Sequence, residues 1–259
     1  MSAPVIPVFL ASRPARAALR RAVPRWRARV VTCRSRAQVE RALARGVADA
    51  VVADPRLPGA PELLAHCRTR YPTVPRFVYA AFRPDDGELL ARCFTDGEAE
   101  AIIEGVEDAV IAELLLPRTA SAWRAEALMG APRLLRLTAE LQQKAWAEVL
   151  TLATGRLRAA DVARALSVSR EHLSRQFGAG GAPNLKRVID LARAATAADM
   201  LRNPGYSVRA VARILGFSSA SHLTGAARRV AGVSARQLAS IGPKGVLSAF
   251  LAGRTRSRS

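Results

Sequence analysis

A five-residue segment of the chain recurs after 49 residues, and this repeat restricts the fold more than any other feature of the sequence. Val162–Leu166 reads VARAL, and Val211–Leu215 reads VARIL. Each copy is followed by a turn and by a second short segment of helical character. A repeat of this kind requires both copies to form the same supersecondary unit, so we expect two similar helix pairs in the second half of the chain.

The spacing within each copy is that of a helix-turn-helix. Ala163 and Ala212 are small residues inside the first helix, so a second helix can cross it closely. The turn falls four positions later, at Ser167 in one copy and Gly216 in the other. Glycine adopts a positive φ at little cost, whereas Ser167 lacks that freedom. The pattern therefore predicts two helix-turn-helix motifs.

The second helix of each motif should begin at a serine. Ser169 and Ser218 are expected to cap these helices, because a serine hydroxyl accepts a hydrogen bond from a free backbone N–H of the first turn. Leu173 and Leu223 then point back into the core. A second helix held in this way has its opposite face free to enter a DNA major groove.

Residues 141–240 resemble the DNA-binding domain of the AraC/XylS family of transcription regulators. The matching residues are Leu173-Ser174-Arg175, Phe177, Arg193, Ile214-Leu215-Gly216-Phe217-Ser218, Ser221-His222 and Gly232-Val233-Ser234. Two positions depart from the family pattern, because Gly225 stands where the family usually has Arg and Ala227 where it usually has Phe. The resemblance implies a bacterial DNA-binding protein that places two recognition helices in consecutive major-groove segments, about one helical turn apart.

The recognition helices carry the candidate DNA-contacting residues. Arg170 and Arg175 suit bidentate bonds to guanine, and Glu171 can accept a hydrogen bond from cytosine N4. Short donors in the second helix suit phosphates or either base, and the later arginines suit phosphate. The full predicted set is Ser169, Arg170, Glu171, His172, Ser174, Arg175, Arg193, Arg209, Ser218, Ser219, Ser221, His222, Thr224, Arg228 and Arg229.

The distribution of charge agrees with an anionic partner for the second half of the chain. The whole chain has a net charge of +19. Residues 1–117 hold 17 basic and 14 acidic residues, whereas residues 118–259 hold 23 basic and 7 acidic ones. The positive excess therefore lies where the repeat lies, and it predicts double-stranded DNA as the partner.

The first half of the chain alternates short apolar runs with helical patterns. Five such β-α units within residues 1–117 predict a parallel sheet with helices on both faces. Asp54 ends the third strand, and it is followed by Pro55-Arg56-Leu57-Pro58-Gly59. An aspartate in this setting is similar to the phosphorylated aspartate of response-regulator receiver domains. The expected fold class is therefore a receiver-like (flavodoxin-like) α/β domain followed by an all-α domain.

The other parts of a receiver site are missing from the sequence. The family has an acidic pair after the first strand, which holds Mg²⁺, but this chain has Ala11-Ser12-Arg13. It has Ala80-Ala81 where the family has Thr or Ser, and Glu104-Gly105 where the family has a lysine. We therefore interpret the domain as a pseudo-receiver that lacks standard phosphotransfer, with Asp54 as a weak candidate phospho-acceptor.

Catalytic and metal-binding patterns are missing as well. The sequence contains no G-x-S-x-G elbow, no P-loop and no G-x-G-x-x-G after a strand, so we expect no enzyme, no cofactor and no metal. Cys33, Cys67 and Cys93 are too widely spaced for a zinc site or a disulfide framework, and whether they sense redox state stays open. No apolar run is long enough to cross a membrane, and the start of the chain does not resemble a signal peptide, so a cytoplasmic location is expected.

Together these patterns predict four segments: a receiver-like domain at 1–117, a helical linker at 118–140, the DNA-binding domain at 141–240 and a basic, disordered tail at 241–259. The predicted function is sequence-specific transcription regulation, with the first domain used for dimerisation or for sensing a signal or partner. A homodimer and contact with RNA polymerase are the expected protein partners. Two alternatives stay open: a phosphorylation-dependent response regulator, and a sequence-tolerant architectural DNA-binding protein.

Overall fold

The computed structural model describes residues 5–46, 48–81, 83–94, 99–177 and 181–256; within these, the side chains of 90, 92–94 and 254–256 are left aside. The chain divides into two compact units, which are essentially the described residues up to Trp123 and those from Arg124 onward. The unit boundary therefore lies six residues after the predicted end of the first domain. Each unit has its own buried core.

The first unit is built on a parallel sheet of five described strands. The strands are β1 (Val5–Phe9), β2 (Arg29–Thr32), β3 (Val51–Ala53), β4 (Arg76–Ala80) and β5 (Ala99–Ile103). Their order in the sheet is β2-β1-β3-β4-β5, and every pairing is parallel. This is the flavodoxin-like strand order, in which the chain reverses its direction of winding at β1. The predicted fold class of the first domain is confirmed.

Helices follow the strands in alternation. They are α1 (Arg13–Ala22), α2 (Arg36–Ala44), α3 (Ala60–Arg70), α4 (Gly87–Phe94) and α5 (Ile111–Leu115). Ile6 and Val8 of β1, Val52 of β3 and Phe77 of β4 form one buried cluster with residues of α1 and α5. Strands with every residue buried carry apolar side chains on both faces, because helices cover both sides of a parallel sheet.

The last helix of the sheet domain is shorter than the sequence pattern suggests. A helix over 106–116 is predicted, but a 3-10 turn occupies Asp108–Val110 and α5 begins only at Ile111. The Glu107 carboxylate accepts a hydrogen bond from the Ile103 backbone N–H over 2.6 Å. This bond and the positive φ of Gly105 form a tight turn directly after β5, which delays the start of the helix.

Two short helices, α6 (Ala120–Ala127) and α7 (Ala131–Leu134), connect the sheet domain to the long helices that follow. The buried Asp49 carboxylate fixes the start of α6, because it accepts hydrogen bonds from Ser121 N at 2.8 Å and Ser121 Oγ at 2.6 Å. A continuous helix over 134–152 is predicted, but the helix is interrupted after Leu134. Pro132 lies in the first turn of α7, where a proline is tolerated, and does not act as a breaker.

The second unit is helical in all of its described elements. They are α8 (Glu140–Leu152), α9 (Ala159–Ala165), α10 (Arg170–Gln176), α11 (Leu185–Leu201), α12 (Val208–Ile214), α13 (Ala220–Ala231) and α14 (Ala235–Arg256). The helix α11 packs against α8, α9, α12, α13 and α14, so it is the centre of the unit. Twelve of its seventeen residues are buried, in agreement with its content of alanine and apolar residues.

The prediction of a disordered tail from residue 241 is wrong for the residues that the structure describes. α14 continues to Arg256, with a bend at Gly242 where φ is 61°. Val246, Leu247 and Phe250 are buried in the second half of this helix, which packs against α11. Their spacing puts three apolar side chains on one helix face, and burial of that face orders the segment. Residues 257–259 lie outside the described part of the chain.

Candidate nucleic-acid interface

The first repeat forms the predicted helix-turn-helix from α9 and α10. Ser167 adopts the left-handed conformation in the turn, with a φ of 56°. Ser169 caps α10, and its hydroxyl accepts a hydrogen bond from His172 N at 3.1 Å. Ala163 and Leu173 are buried at the crossing of the two helices. The geometry that the spacing predicts for this motif is therefore present.

The outer face of α10 is polar and exposed. Six predicted DNA-contacting residues are exposed on it or at its cap, and they are Ser169, Arg170, Glu171, His172, Ser174 and Arg175. On the opposite face, Leu173 is fully buried, and Phe177 directly after the helix is buried as well. Within the described part of the chain, the side chains of Arg170 and Arg175 make no hydrogen bond or ion pair, so their guanidinium groups are available to a ligand.

The second repeat forms the same structure from α12 and α13. Gly216 provides the turn with a φ of 68°, and a Cβ added there would lie 2.6 Å from Arg156 Cβ. The cap differs from the prediction, because Ser219 and not Ser218 caps α13, accepting a hydrogen bond from His222 N at 3.0 Å. Ser218 is hydrogen-bonded to His222 Nδ1 over 3.0 Å, so it orients that imidazole.

Several predicted residues of the second motif line one concave surface. A groove of about 940 Å³ runs between α12, α13 and the start of α14. It is lined by Arg209, Ser221, Thr224 and Arg228, and also by Arg236. The Thr224 hydroxyl donates a hydrogen bond to Ala220 O, so part of its bonding capacity is already used. Of the remaining predicted residues, Ser218, Ser219, His222 and Arg229 are exposed.

Arg236 is a candidate that the sequence prediction missed. It is exposed in the first turn of α14, beside the groove that Arg209 and Arg228 line. Its signal in the sequence was the Gly232-Val233-Ser234 segment, which ends one helix and begins the next. Here the arginine two residues after Ser234 lines the same groove as the recognition helix α13.

The structure gives Arg193 a different role from the predicted DNA contact. Its guanidinium lies 3.8 Å from the centre of the Phe217 ring, and its Nη2 donates to Leu215 O at 2.8 Å. Burial lowers the pKa of this guanidinium. Leu215 is the C-terminal cap of α12, so Arg193 satisfies a free carbonyl there and fixes the second motif to α11. Arg193 is therefore a positioning residue within the fold.

The two departures from the family pattern are accommodated locally. Ala227 is fully buried, so a small side chain fills the place expected for a larger one. Gly225 lies inside α13, where glycine costs about 1 kcal/mol relative to alanine. The Arg229 guanidinium folds back towards Gly225, and an added Cβ would meet its Nη1 at 3.4 Å. Arg229 thus covers the position that lacks a side chain.

A second candidate site lies at the carboxyl end of the sheet in the first unit. Asp54 is almost buried, with 7% of its surface exposed, and its Oδ1 accepts a hydrogen bond from Arg56 N at 3.0 Å. Ser12 donates to Glu104 Oε1 at 2.7 Å, which joins the ends of β1 and β5. These are the two positions at which receivers carry an acidic residue and a lysine, and here they bond to each other.

Arg56 is a cation close to Asp54 and Glu104 at this edge, and the sequence interpretation did not assign it a role. Its guanidinium bonds to the Asp86 carboxylate and to Ala81 O. The hydrogen bond to Asp86 raises the pKa of Arg56 and lowers the pKa of Asp86. Within the described part of the chain, no group of three His, Cys, Asp or Glu side chains is arranged to hold a metal ion.

The two motifs, their exposed recognition helices and the connecting α11 define a DNA-binding protein. Residues 162–240 match the family described as "Helix-turn-helix domain". The second unit thus carries a helix-turn-helix domain, and the chain is a DNA-binding transcription regulator whose first domain has a receiver-like strand order. None of the described helices combines the length and apolarity needed to cross a membrane.

One solved structure similar to the chain is full-length FixJ from B. japonicum. The two are 17% identical, the similarity covers 88% of this chain and 98% of that one, and the TM-score is 0.40. No curated protein matches the sequence significantly. The assignment of the receiver-like fold therefore rests on the strand order of the sheet, which the structure shows directly.

Proposed function

We propose that the protein regulates transcription by binding a specific DNA sequence through both motifs. The observation that carries this proposal is the outer face of α10, where Arg170 and Arg175 are exposed and have no hydrogen-bond or ion-pair partner among the described residues. Free guanidinium groups on an N-capped helix suit bidentate bonds to guanine, and each such pair gives about 1–3 kcal/mol of discrimination. Glu171 lies next to Arg170 in the sequence, and its carboxylate can accept a hydrogen bond from cytosine N4, whereas a phosphate would repel it.

The second motif is suited to bind DNA phosphates and to make few contacts with bases. Its groove brings Arg209, Arg228 and Arg236 to one surface, and Gly225 supplies no side chain for a base contact in the recognition helix. Phosphate contacts fix the position of a protein on the duplex, while base contacts determine sequence. We infer that α10 supplies most of the specificity and α13 supplies register and affinity.

The first unit serves to sense a signal or a partner without standard phosphorylation. This part of the proposal is supported by the bond between Ser12 and Glu104, which fills the place of a Mg²⁺-binding pair. A phosphoryl group on Asp54 would face Glu104, and the guanidinium of Arg56, which lies close to both carboxylates, already bonds Asp86. Homodimerisation through this unit, contact with RNA polymerase and a cytoplasmic location belong to the same proposal.

Selection of bound fragments from genomic DNA by the full-length protein, at moderate salt, tests the proposal. Non-specific phosphate binding falls steeply with salt, whereas base contacts persist, so a discrete motif should be enriched. R170Q/R175Q should abolish the enrichment. R133Q/R136Q removes the same charge from exposed positions of the same unit and should retain it.

The outcome of the selection also decides between the proposal and its alternatives. A ratio of specific to non-specific affinity near one would favour an architectural DNA-binding protein and contradict the proposal. Enrichment that requires prior incubation with acetyl phosphate and Mg²⁺ would favour a phosphorylation-dependent response regulator.

A further inference from the structure

The first unit contains a basic cleft that the DNA-binding function leaves unexplained. The cleft measures about 920 Å³ and lies between α1 and the end of β2. Its lining includes five arginines, namely Arg13, Arg16, Arg20, Arg21 and Arg34. No acidic side chain is among the described residues that line it, and the first 39 residues of the chain contain no Asp or Glu. Such a concentration of positive charge favours an anionic occupant.

The cleft lies at the edge of the sheet where proteins of this architecture bind ligands. Leu10 and Ala11 follow β1, Thr32 ends β2, and Leu57 lies in the loop after β3. The cleft therefore opens at the carboxyl ends of three adjacent strands, where the winding of the sheet reverses at β1. In open α/β sheets, ligands bind in the crevice at this switch point. A volume of this size is in the range of small-molecule sites.

Two of the five arginines are held by the protein, and three are free. Arg16 Nη1 donates to Leu10 O at 2.7 Å and to Ala11 O at 2.8 Å, and Arg20 Nη2 donates to Thr32 Oγ1 at 2.8 Å. Within the described residues, the side chains of Arg13, Arg21 and Arg34 make no hydrogen bond or ion pair. The anchored pair builds a fixed wall, and the free three offer guanidinium groups to a ligand.

We propose that this cleft binds a small molecule that carries at least two phosphate groups and an organic part of nucleotide size. Arg13 and Arg21 lie two turns, or about 12 Å, apart along α1, so the row of arginines is longer than one phosphate group and suits a ligand with several phosphates. Phe9, Leu10 and Leu57 supply apolar surface for the organic part. The N-terminus of α1, which Ser12 caps, adds positive potential at one end of the cleft.

The proposal rests on the sensing role given above to the first unit, and it names the class of signal. A concave site with fixed walls favours a small ligand over the backbone of DNA, which requires an open surface. Binding of such a ligand connects the loops after β1, β2 and β3, which are the loops that carry Ser12, Arg34 and Arg56.

Isothermal titration of the full-length protein with pyrophosphate, ATP, GTP and NADP⁺ tests the proposal, with sulfate as the reference anion. At least one nucleotide should bind more tightly than sulfate and pyrophosphate. R13Q/R34Q should weaken that binding about tenfold or more, because each arginine donates charge-assisted hydrogen bonds. R25Q/R45Q removes the same charge from exposed positions outside the cleft and should leave the affinity unchanged.

Three results would overturn the proposal: no probe binds in the millimolar range, sulfate binds as tightly as the nucleotides, or R13Q/R34Q binds them like the wild type. A lower affinity of R13Q/R34Q for DNA, without nucleotide binding, would identify the cleft as a contact to the DNA backbone. Failure of the DNA-binding proposal would give a different result, because the wild-type protein would then enrich no DNA fragments but would still bind a nucleotide.

Discussion

Arg193 and Arg209 provide a matched test of the DNA-binding account. The sequence predicts a DNA contact for both, but the structure engages Arg193 with Phe217 and Leu215 O, whereas Arg209 is exposed beside the α12–α13 groove. R193M keeps an apolar stem but removes a cation–π contact worth about 0.5–2 kcal/mol and a charged hydrogen bond worth about 1.5–3 kcal/mol.

Part of this loss is offset, because the buried Arg193 Nε has no hydrogen-bond partner and its removal is favourable. We therefore expect R193M to lower the free energy of unfolding of the second unit by about 1–3 kcal/mol. R209M removes an exposed side chain, so it should change that free energy by less than about 0.5 kcal/mol.

The salt dependence of DNA binding should separate the two variants in the reverse order: R209M should change it, and R193M should not. A phosphate contact contributes about −0.9 to the slope of log K against log salt, so R209M should make the slope shallower by about that amount. R193M should weaken binding to the selected site with the slope unchanged. Urea unfolding followed through the buried Trp146, together with DNA titrations at several salt concentrations, measures both quantities. An unchanged stability and a shallower slope for R193M would refute the role assigned to it.

Three further predictions concern the turns, a buried thiol and the sheet edge. G216A should destabilise the second unit by about 2–4 kcal/mol, because alanine is strained at positive φ and its Cβ would clash with Arg156; S167G, which relieves the same strain in the first motif, should show no such loss in urea unfolding. Burial raises the pKa of Cys67 to about 12 from its ordinary 9.0, so its contribution to stability is complete below pH 9 and is lost as pH rises towards 12. Above pH 9 the free energy of unfolding of the first unit, measured by circular dichroism, should fall by up to about 1.4 kcal/mol per pH unit more steeply in the wild type than in C67A, which keeps the contributions of Cys33, Tyr71 and Tyr79. Acetyl phosphate with Mg²⁺ should leave the mass of the protein unchanged, and a phosphoryl increment that D54N abolishes would contradict the pseudo-receiver interpretation.

Local patterns were sufficient for the sheet and for both motifs. The sheet follows from short, mainly apolar strands alternating with helices, and the motifs follow from a small residue, a turn and a serine at fixed spacing. These signals depend on neighbouring residues only, so they can be recognised without tertiary contacts. The free arginines of α10 were predicted for the same reason, because a helix buried through Leu173 must expose its opposite face.

The errors arose where distant contacts decide the outcome. Ser218 and Ser219 are both good capping residues, so the sequence did not distinguish them, and Ser219 caps α13 in the structure. Arg193 lies on a helix whose partner, the end of α12, is more than twenty residues away in sequence. The second half of α14 carries basic and small residues typical of a tail, but its apolar face finds a partner in α11.

The cysteines illustrate the same limit. Cys33 and Cys67 are buried, and burial raises the pKa of both thiols, which disfavours the reactive thiolate. Their spacing in the sequence excludes a metal site but gives no information about burial. The side chain of Cys93 lies outside those that the structure describes.

Hydroxyl-radical footprinting of the full-length protein on its selected site tests the central claim most directly. Two motifs joined by α11 should protect two backbone tracts about one helical turn, or about 10 base pairs, apart on one face of the duplex. With R170Q/R175Q, protection should be lost at the tract that contains the bases shared by the selected fragments. With R209M, protection of the other tract should weaken. Uniform protection along the fragment, or a single tract that survives R170Q/R175Q, would contradict the account.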